Sequence, residues 1–121
     1  MSDPVRLTIQ TAGDVTVVEF LETLVWEMFQ VEQISNELAA LVEAKGCRRI
    51  ILDLSRVEMI SSSTLGVMID LKHRLDEKQG RLVIAGLREE LMNVFRVTRL
   101  EGRFEFQADR QAALAALDTC T

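Results

Sequence analysis

Between residues 50 and 79 the chain passes from an apolar strand, through a run of hydroxyl side chains, into a helix. Residues 50–54 (Ile-Ile-Leu-Asp-Leu) are apolar except for Asp53, which predicts a central strand covered on both faces. Residues 65–79 carry apolar side chains at helical spacing and are followed by Gly80, which predicts a helix that ends there. A buried strand that leads into a helix is typical of α/β folds.

Strands and helices alternate along the rest of the sequence. Alternating polarity predicts two antiparallel strands at residues 5–10 and 15–20, joined by a turn at 12–14. Further strands are predicted at 50–54, 81–85 and 104–106, and helices at 31–45, 65–79, 89–98 and 110–117, the last capped by Asp109. We therefore expect a single α/β domain, residues 1–121. Its four- to five-stranded mixed sheet is mostly parallel, with an N-terminal antiparallel hairpin strand and about four flanking helices.

The hydroxyl run consists of Ser61, Ser62, Ser63 and Thr64. Such side chains accept hydrogen bonds from the first N–H groups of a helix, so residue types alone favour capping over a regulated hydroxyl. One cap needs only one residue, however, and a phosphate is also stabilised at a helix N-terminus. The run lies beyond the carboxyl end of a strand, where sites form in open α/β sheets. Asp53 is expected to order the turn after its strand by accepting backbone N–H groups.

Composition argues against several classes of function. The net charge of −5 does not suit nucleic-acid binding. No apolar run approaches the roughly 20 residues of a membrane span, and no signal peptide is visible, so we expect a cytoplasmic protein. Cys47 and Cys120 are expected to be reduced, and His73 is the only histidine, so neither a zinc site nor another cofactor is predicted. Neither a P-loop nor a catalytic triad signature supports an enzyme.

The segment from residue 21 to 30 has apolar side chains without a clear period. We expect these side chains to pack under a loop. The alternative is an exposed apolar patch for a partner or for a second copy of the chain. The side chains concerned are Leu24, Val25, Trp26, Met28 and Phe29.

Residues 53–67 resemble the signature of STAS domains, the family of bacterial anti-sigma factor antagonists. The family pattern is Asp-Leu-Ser-x-Val-x-x-hydrophobic-Asp-Ser-Ser/Thr-Gly-Leu-Gly-Val/Ala. The chain matches it at Asp53, Ser55, Val57, Ser62, Ser63, Leu65 and Gly66. It departs at Ser61, where the family has Asp, and at Thr64, where the family has Gly. The predicted order of elements also fits the family along nearly the whole chain.

The resemblance implies a binding protein rather than an enzyme. Antagonists of this family bind an anti-sigma factor that is also a serine kinase. Phosphorylation of the hydroxyl after the family's Asp breaks the complex, and a serine phosphatase reverses the modification. Carried onto this chain, the phosphorylated residue is Ser62, with Ser61 and Ser63 as alternatives because the Asp is absent. Ser61, Ser63, Thr64, Leu65 and Gly66 would form the adjoining recognition surface.

Other functions remain open at this point. The chain could be a STAS scaffold module in a larger signalling assembly, or the soluble subunit of a lipid-transport ATPase. A homodimer is a further alternative. A small enzyme or nucleotide binder is a third alternative. The isolated Gly66 and Gly86 do not form a phosphate-binding loop, which counts against it.

Overall fold

A computed structural model describes residues 7–25 and 28–118 of the chain. The strands are β1 (Leu7–Ala12), β2 (Val15–Phe20), β3 (Leu24–Val25), β4 (Arg49–Asp53), β5 (Met59–Ile60), β6 (Arg81–Ala85) and β7 (Glu105–Gln107). The helices are α1 (Met28–Glu43), α2 (Ser62–Glu77), α3 (Glu89–Val97) and α4 (Arg110–Asp118), with a 3₁₀ turn at Glu101–Arg103.

The main sheet has five strands in the order β1-β2-β4-β6-β7. β1 and β2 form an antiparallel hairpin, and the other neighbouring pairs are parallel. In this register Ile51 of β4 lies between Val17 of β2 and Val83 of β6. The predicted fold class is confirmed.

The apolar character of β4 follows from helices on both faces of the sheet. Ile50 and Leu52 face the larger core, which contains buried side chains of α1, α2 and α3. Ile51 faces the smaller core under α4, with Ala113 and Leu117 of that helix. Ile50, Ile51 and Leu52 are all completely buried, so the central position predicted for this strand is confirmed.

Helix α2 lies against the sheet through the apolar stripe that its spacing predicts. Leu65, Met68, Leu71 and Leu75 are all buried. The helix ends at Glu77, and the chain turns at Gln79, which has a φ of 60°. Gly80 follows at a point where no side chain fits. A Cβ on Gly80 would lie 2.5 Å from the carbonyl oxygen of Arg48.

Several boundaries differ from the prediction by a few residues. β1 ends at Ala12, two residues later than the alternation within 5–10 indicates, and residues 5 and 6 lie outside the described part of the chain. The first helix begins at Met28, ahead of the predicted start at Val31. β3 and β5 form a separate two-stranded parallel sheet that the sequence did not predict. Among the described residues, no helix has the length and apolar character needed to cross a membrane.

Candidate functional site

The hydroxyl run lies at the N-terminus of α2, and its first residue caps the helix. Ser61 has extended backbone angles (φ −88°, ψ 166°), and its Oγ accepts a hydrogen bond from the backbone N–H of Thr64 at 3.2 Å. The helix therefore starts at Ser62, three residues before the predicted start at Leu65. Capping is confirmed for Ser61, and one residue meets that need.

Thr64 points into the protein and is almost completely buried, with 3% of its surface exposed. Its hydroxyl donates to the backbone carbonyl of Val25 at 2.9 Å. The Oγ atoms of Ser61 and Thr64 are also 3.1 Å apart. Because Thr64 has only one hydroxyl proton and gives it to Val25, Ser61 is the donor in this second contact. The Ser61 hydroxyl thus donates to the Thr64 hydroxyl and accepts from the Thr64 backbone N–H.

The two-stranded sheet joins this helix start to the segment that leads into α1. The Val25 carbonyl accepts from the Ser61 N–H at 3.2 Å as well as from Thr64. The Thr23 carbonyl accepts from the N–H groups of Glu58, at 2.7 Å, and Met59, at 3.2 Å. Two segments far apart in the sequence, residues 23–25 and 58–61, are therefore bonded backbone to backbone directly beside the hydroxyl run.

Ser62, Ser63 and Gly66 form the open side of the helix start. All three residues are exposed. Neither serine hydroxyl has a hydrogen-bond partner within the part of the chain that the structure describes. Of the other residues expected in a recognition surface, Thr64 and Leu65 lie beneath this side, with only 3% and 6% of their surfaces exposed. The Thr64 side chain therefore adds no bulk to the outer surface.

Exposed apolar side chains lie in β5 and in the first turn of α1, the helix that follows β3 in the chain. Met28 and Phe29, in the first turn of α1, are 64% and 52% exposed, and Met59 of β5 is 49% exposed. Packing under a loop is thus wrong for Met28 and Phe29, because the buried residues of α1 begin only at Val31. It is correct for Val25, which is completely buried. Trp26 lies outside the described residues.

Asp53 holds the loop that leads from β4 toward the serines. Its Oδ1 accepts from the Ser55 backbone N–H at 3.1 Å and from the Ser55 hydroxyl at 2.8 Å, which confirms the predicted turn. Its Oδ2 forms an ion pair with Arg110 of α4 at 3.0 Å. Arg110 also contacts Glu19 of β2 at 3.2 Å and the side chain of Gln10 at 3.2 Å.

The sequence interpretation did not anticipate Arg110, although a signal was present. A cation in the first turn of a helix is disfavoured by the helix dipole, so an arginine directly after the Asp109 cap indicates a partner elsewhere. Burial lowers the pKa of Arg110, but hydrogen bonds and attraction to Asp53 and Glu19 outweigh that effect and raise it overall. Arg110 therefore remains a cation between two carboxylates.

Ser55 is held from a second side by the loop after β6. Arg88 donates to the Ser55 carbonyl at 3.3 Å. Gly86 has a φ of +72°, and a Cβ there would lie 3.0 Å from the Ser55 Cβ. The loop between β4 and β5 is thus fixed at Ser55. Among the described residues, no group of three or more His, Cys, Asp or Glu side chains is placed to hold a metal ion.

Comparison with known proteins places these features in a family. The family model described as the STAS domain matches residues 6–113. A Bordetella bronchiseptica protein provisionally named as the anti-sigma factor antagonist BtrV is 40% identical over 88 residues, which are 73% of this chain and 75% of that protein.

Solved structures share the fold at lower sequence identity. An anti-sigma factor antagonist from Mycobacterium paratuberculosis has a TM-score of 0.82 and 19% identity, over 94% of each chain. The Bacillus cell fate determinant SpoIIAA, solved in its phosphorylated form, has a TM-score of 0.74 and 18% identity, over 93% of this chain and 99% of that one.

Proposed function

The chain belongs to the STAS domain family, and from that premise we propose that it is an anti-sigma factor antagonist switched by phosphorylation of Ser62. In this proposal the N-terminal end of α2 binds an anti-sigma factor that is also a serine kinase. Phosphorylation of Ser62 releases that partner, and a serine phosphatase restores binding. One observation carries the proposal: Ser62 presents an exposed hydroxyl with no described partner, in the first turn of a helix that another residue already caps.

The hydrogen bonds favour Ser62 over Ser61 as the phosphorylated residue. The Ser61 hydroxyl donates to Thr64 and accepts from the Thr64 N–H, so a phosphate there would break the cap of α2. A phosphate on Ser62 would break neither bond. Ser63 is equally exposed, and the family pattern distinguishes the two, because Ser62 occupies the position directly after the family's Asp.

A phosphate on Ser62 is expected to change binding without unfolding the helix. It adds about −1.5 to −2 charges near neutral pH, at a helix end where N–H groups and the dipole favour negative charge. The same charge would have to be desolvated inside a packed interface, which is costly. Release of the partner therefore requires no change of fold.

The proposed partner surface combines the open side of α2 with the exposed apolar side chains beside it. Met59 lies two residues before Ser61 in the chain, and Met28 follows Val25 by three residues, or at most about 11 Å of extended chain. Val25 is itself bonded to the Ser61 N–H. Exposed methionine and aromatic side chains of this kind are typical of protein interfaces.

The Ser61 and Thr64 departures do not remove this surface. Thr64 is turned inward onto the Val25 carbonyl, so the position that is Gly in the family remains unobstructed from outside. Ser61 keeps the capping bond but lacks the negative charge of Asp. A partner therefore meets the same helix end with one carboxylate fewer.

The rest of the proposal follows from the same proposed role. The protein acts by binding rather than catalysis, as a single domain in the cytoplasm, and uses no cofactor. Its net charge of −5 suits a protein partner better than a nucleic acid.

A pull-down from the native cytoplasm tests the switch. Wild type, Ser62→Ala and Ser62→Asp are compared, and partners and phosphosites are identified by mass spectrometry. We expect wild type and Ser62→Ala to hold a kinase-type partner that Ser62→Asp releases, with phosphate found on Ser62. Ser63→Asp is the matched control, because it places the same charge one residue further along.

Three outcomes would contradict the proposal or one part of it. Equal retention of the same partners by all the variants, with no phosphate on Ser61, Ser62 or Ser63, would instead indicate a scaffold or transporter-type STAS module. Phosphate on Ser63 alone, together with release by Ser63→Asp and not by Ser62→Asp, would move the switch by one residue. Circular dichroism that shows loss of helix in Ser62→Asp would reject release without unfolding.

A further inference from the structure

We propose that Arg110 of α4 is a positioning residue for the serine site, because it fixes Asp53 and through it the loop that presents Ser62. This inference deepens the proposed function and rests on it for its biological meaning. That Arg110 fixes Asp53 and the following loop is a property of the free protein, without a partner. Arg110 lies in the C-terminal helix, 57 positions from Asp53 in the sequence.

The need for Arg110 arises from two neighbouring carboxylates. Glu19 and Asp53 are direct register partners on the adjacent parallel strands β2 and β4. Like charges at such positions repel each other. The Arg110 guanidinium lies 3.0 Å from an Asp53 oxygen and 3.2 Å from a Glu19 oxygen, so one cation pairs with both groups and reduces their repulsion. Glu19 also lies 3.8 Å from Arg56, but that arginine side chain is 63% exposed, and solvent weakens the contact.

Asp53 divides its two oxygens between α4 and the loop. Oδ2 is held by Arg110, while Oδ1 accepts from the N–H and the hydroxyl of Ser55. The Asp53 side chain is only 10% exposed, so water cannot fully replace a lost partner. Without Arg110, repulsion by Glu19 would turn the Asp53 carboxylate away from its present position. The bonds to Ser55 would then weaken.

A short and well-anchored loop connects Ser55 to the serine run. The Val57 N–H donates to the Leu54 carbonyl at 2.9 Å, and the Val57 side chain is completely buried. The Glu58 N–H then donates to Thr23, and the Ser61 N–H donates to Val25. Because most residues between Ser55 and Ser61 are held by these contacts, a displacement at Ser55 would be transmitted to the start of α2.

The opposite end of α4 provides a matched control. Arg81 forms an ion pair with Glu105 at 2.7 Å and donates to the Ala116 carbonyl near the end of α4. In the sheet register Arg81 lies beside Arg49, whereas Asp53 lies beside Ala85 at the other end of the strands. Arg81→Gln therefore loosens α4 without removing the counter-charge of Asp53.

Amide hydrogen exchange measured by NMR on the free protein tests the inference. The wild type is compared with Arg110→Gln, Arg110→Lys and Arg81→Gln, after correction for global stability from urea denaturation. In Arg110→Gln we expect the Ser55 amide to exchange about ten- to a hundredfold faster, the equivalent of one lost charge-assisted bond. In the same variant the amides of Val57 and Ser61 should also exchange faster. Arg110→Lys should restore part of the protection, and Arg81→Gln should change the exchange rate of the Ser55 amide by less than about threefold.

Equal effects of Arg110→Gln and Arg81→Gln on the Ser55 amide would overturn the inference, because α4 would then act only through general stability. An unchanged Ser61 amide in Arg110→Gln would overturn it as well. These readouts need no partner. A negative pull-down would therefore remove the proposed function but leave the positioning role of Arg110 intact. A negative hydrogen-exchange result would remove the positioning role but leave the proposed phosphorylation switch intact.

Discussion

Replacing Thr64 by Val should show how strongly a single buried hydroxyl stabilises the start of α2. Val has nearly the shape of Thr and is also β-branched, so packing and helix propensity change little. The variant loses the 2.9 Å bond to the Val25 carbonyl and the 3.1 Å contact with the Ser61 hydroxyl.

The cost can be bounded from the groups that remain. The Val25 carbonyl keeps the N–H of Ser61 at 3.2 Å, so it is not left without a donor. The Ser61 Oγ keeps the N–H of Thr64, and its proton can turn to water because Ser61 is only half-buried. The loss is then that of two neutral hydrogen bonds, about 1–3 kcal/mol in the free energy of unfolding.

Urea denaturation followed by circular dichroism measures this loss of free energy. In thermal unfolding, Tm should fall by about 3 °C or more. Thr98→Val is the matched control. The Thr98 hydroxyl also donates to a backbone carbonyl, that of Val94 at 2.7 Å, but it lies at an exposed helix end where water can replace it. Its loss should cost less than about 0.5 kcal/mol.

Two results would refute this expectation: Thr64→Val as stable as the wild type, or Thr64→Val destabilised no more than Thr98→Val. Either result would mean that the inward hydroxyl does not hold α2 to the segment before α1. Thr64→Ser supplies an internal check. It retains the hydroxyl, so it should lose less stability than Thr64→Val if the hydrogen bonds matter more than the methyl group.

Two further predictions concern a pair of glycines and the aromatic cluster formed by the rings of Phe95, Phe104 and Phe106. Gly86→Ala should lower the free energy of unfolding by about 1–3 kcal/mol, because of the positive φ and the contact with Ser55. Gly66→Ala, where a Cβ meets nothing within 4 Å, should raise it by up to about 1 kcal/mol, and a reversed order in urea denaturation would contradict both. Phe95→Ala removes a completely buried ring whose centroid lies 5.6 Å from that of Phe104. It should cost about 3–5 kcal/mol, and a loss below about 1.5 kcal/mol would show that the cluster collapses around the gap.

Features that depend on nearby residues were predictable from the sequence. The stripe of α2 and the apolar run at residues 50–52 of β4 follow from the hydrophobic pattern, because each reports which faces of an element are covered. The turn after Asp53 was predictable because it is local: the hydrogen bond between Asp53 and Ser55 spans two residues. The start of α2 was less certain, because four consecutive hydroxyls can each cap a helix and periodicity does not select among them.

Features that depend on distant residues were not predictable. The Thr64 hydroxyl finds its acceptor 39 positions away, at Val25, and Arg110 finds Asp53 57 positions away. No local pattern encodes such pairs. The exposure of Met28 was only the alternative to packing under a loop, for a related reason. A spacing of apolar residues shows that a helix has a buried face, but not at which turn the neighbouring elements stop covering it.

The reciprocal bonds between Ser61 and Thr64 have a consequence for how these two positions evolve. Ser61 uses the Thr64 oxygen as its acceptor, and Thr64 supplies the N–H that Ser61 caps. A chain with Ser at the first position and Gly at the second would leave the serine proton without that acceptor and the Val25 carbonyl with one donor fewer. The two departures from the family pattern therefore complement each other in the structure. Among relatives, Ser at 61 should co-vary with Thr or Ser at 64, and Asp at 61 with Gly at 64.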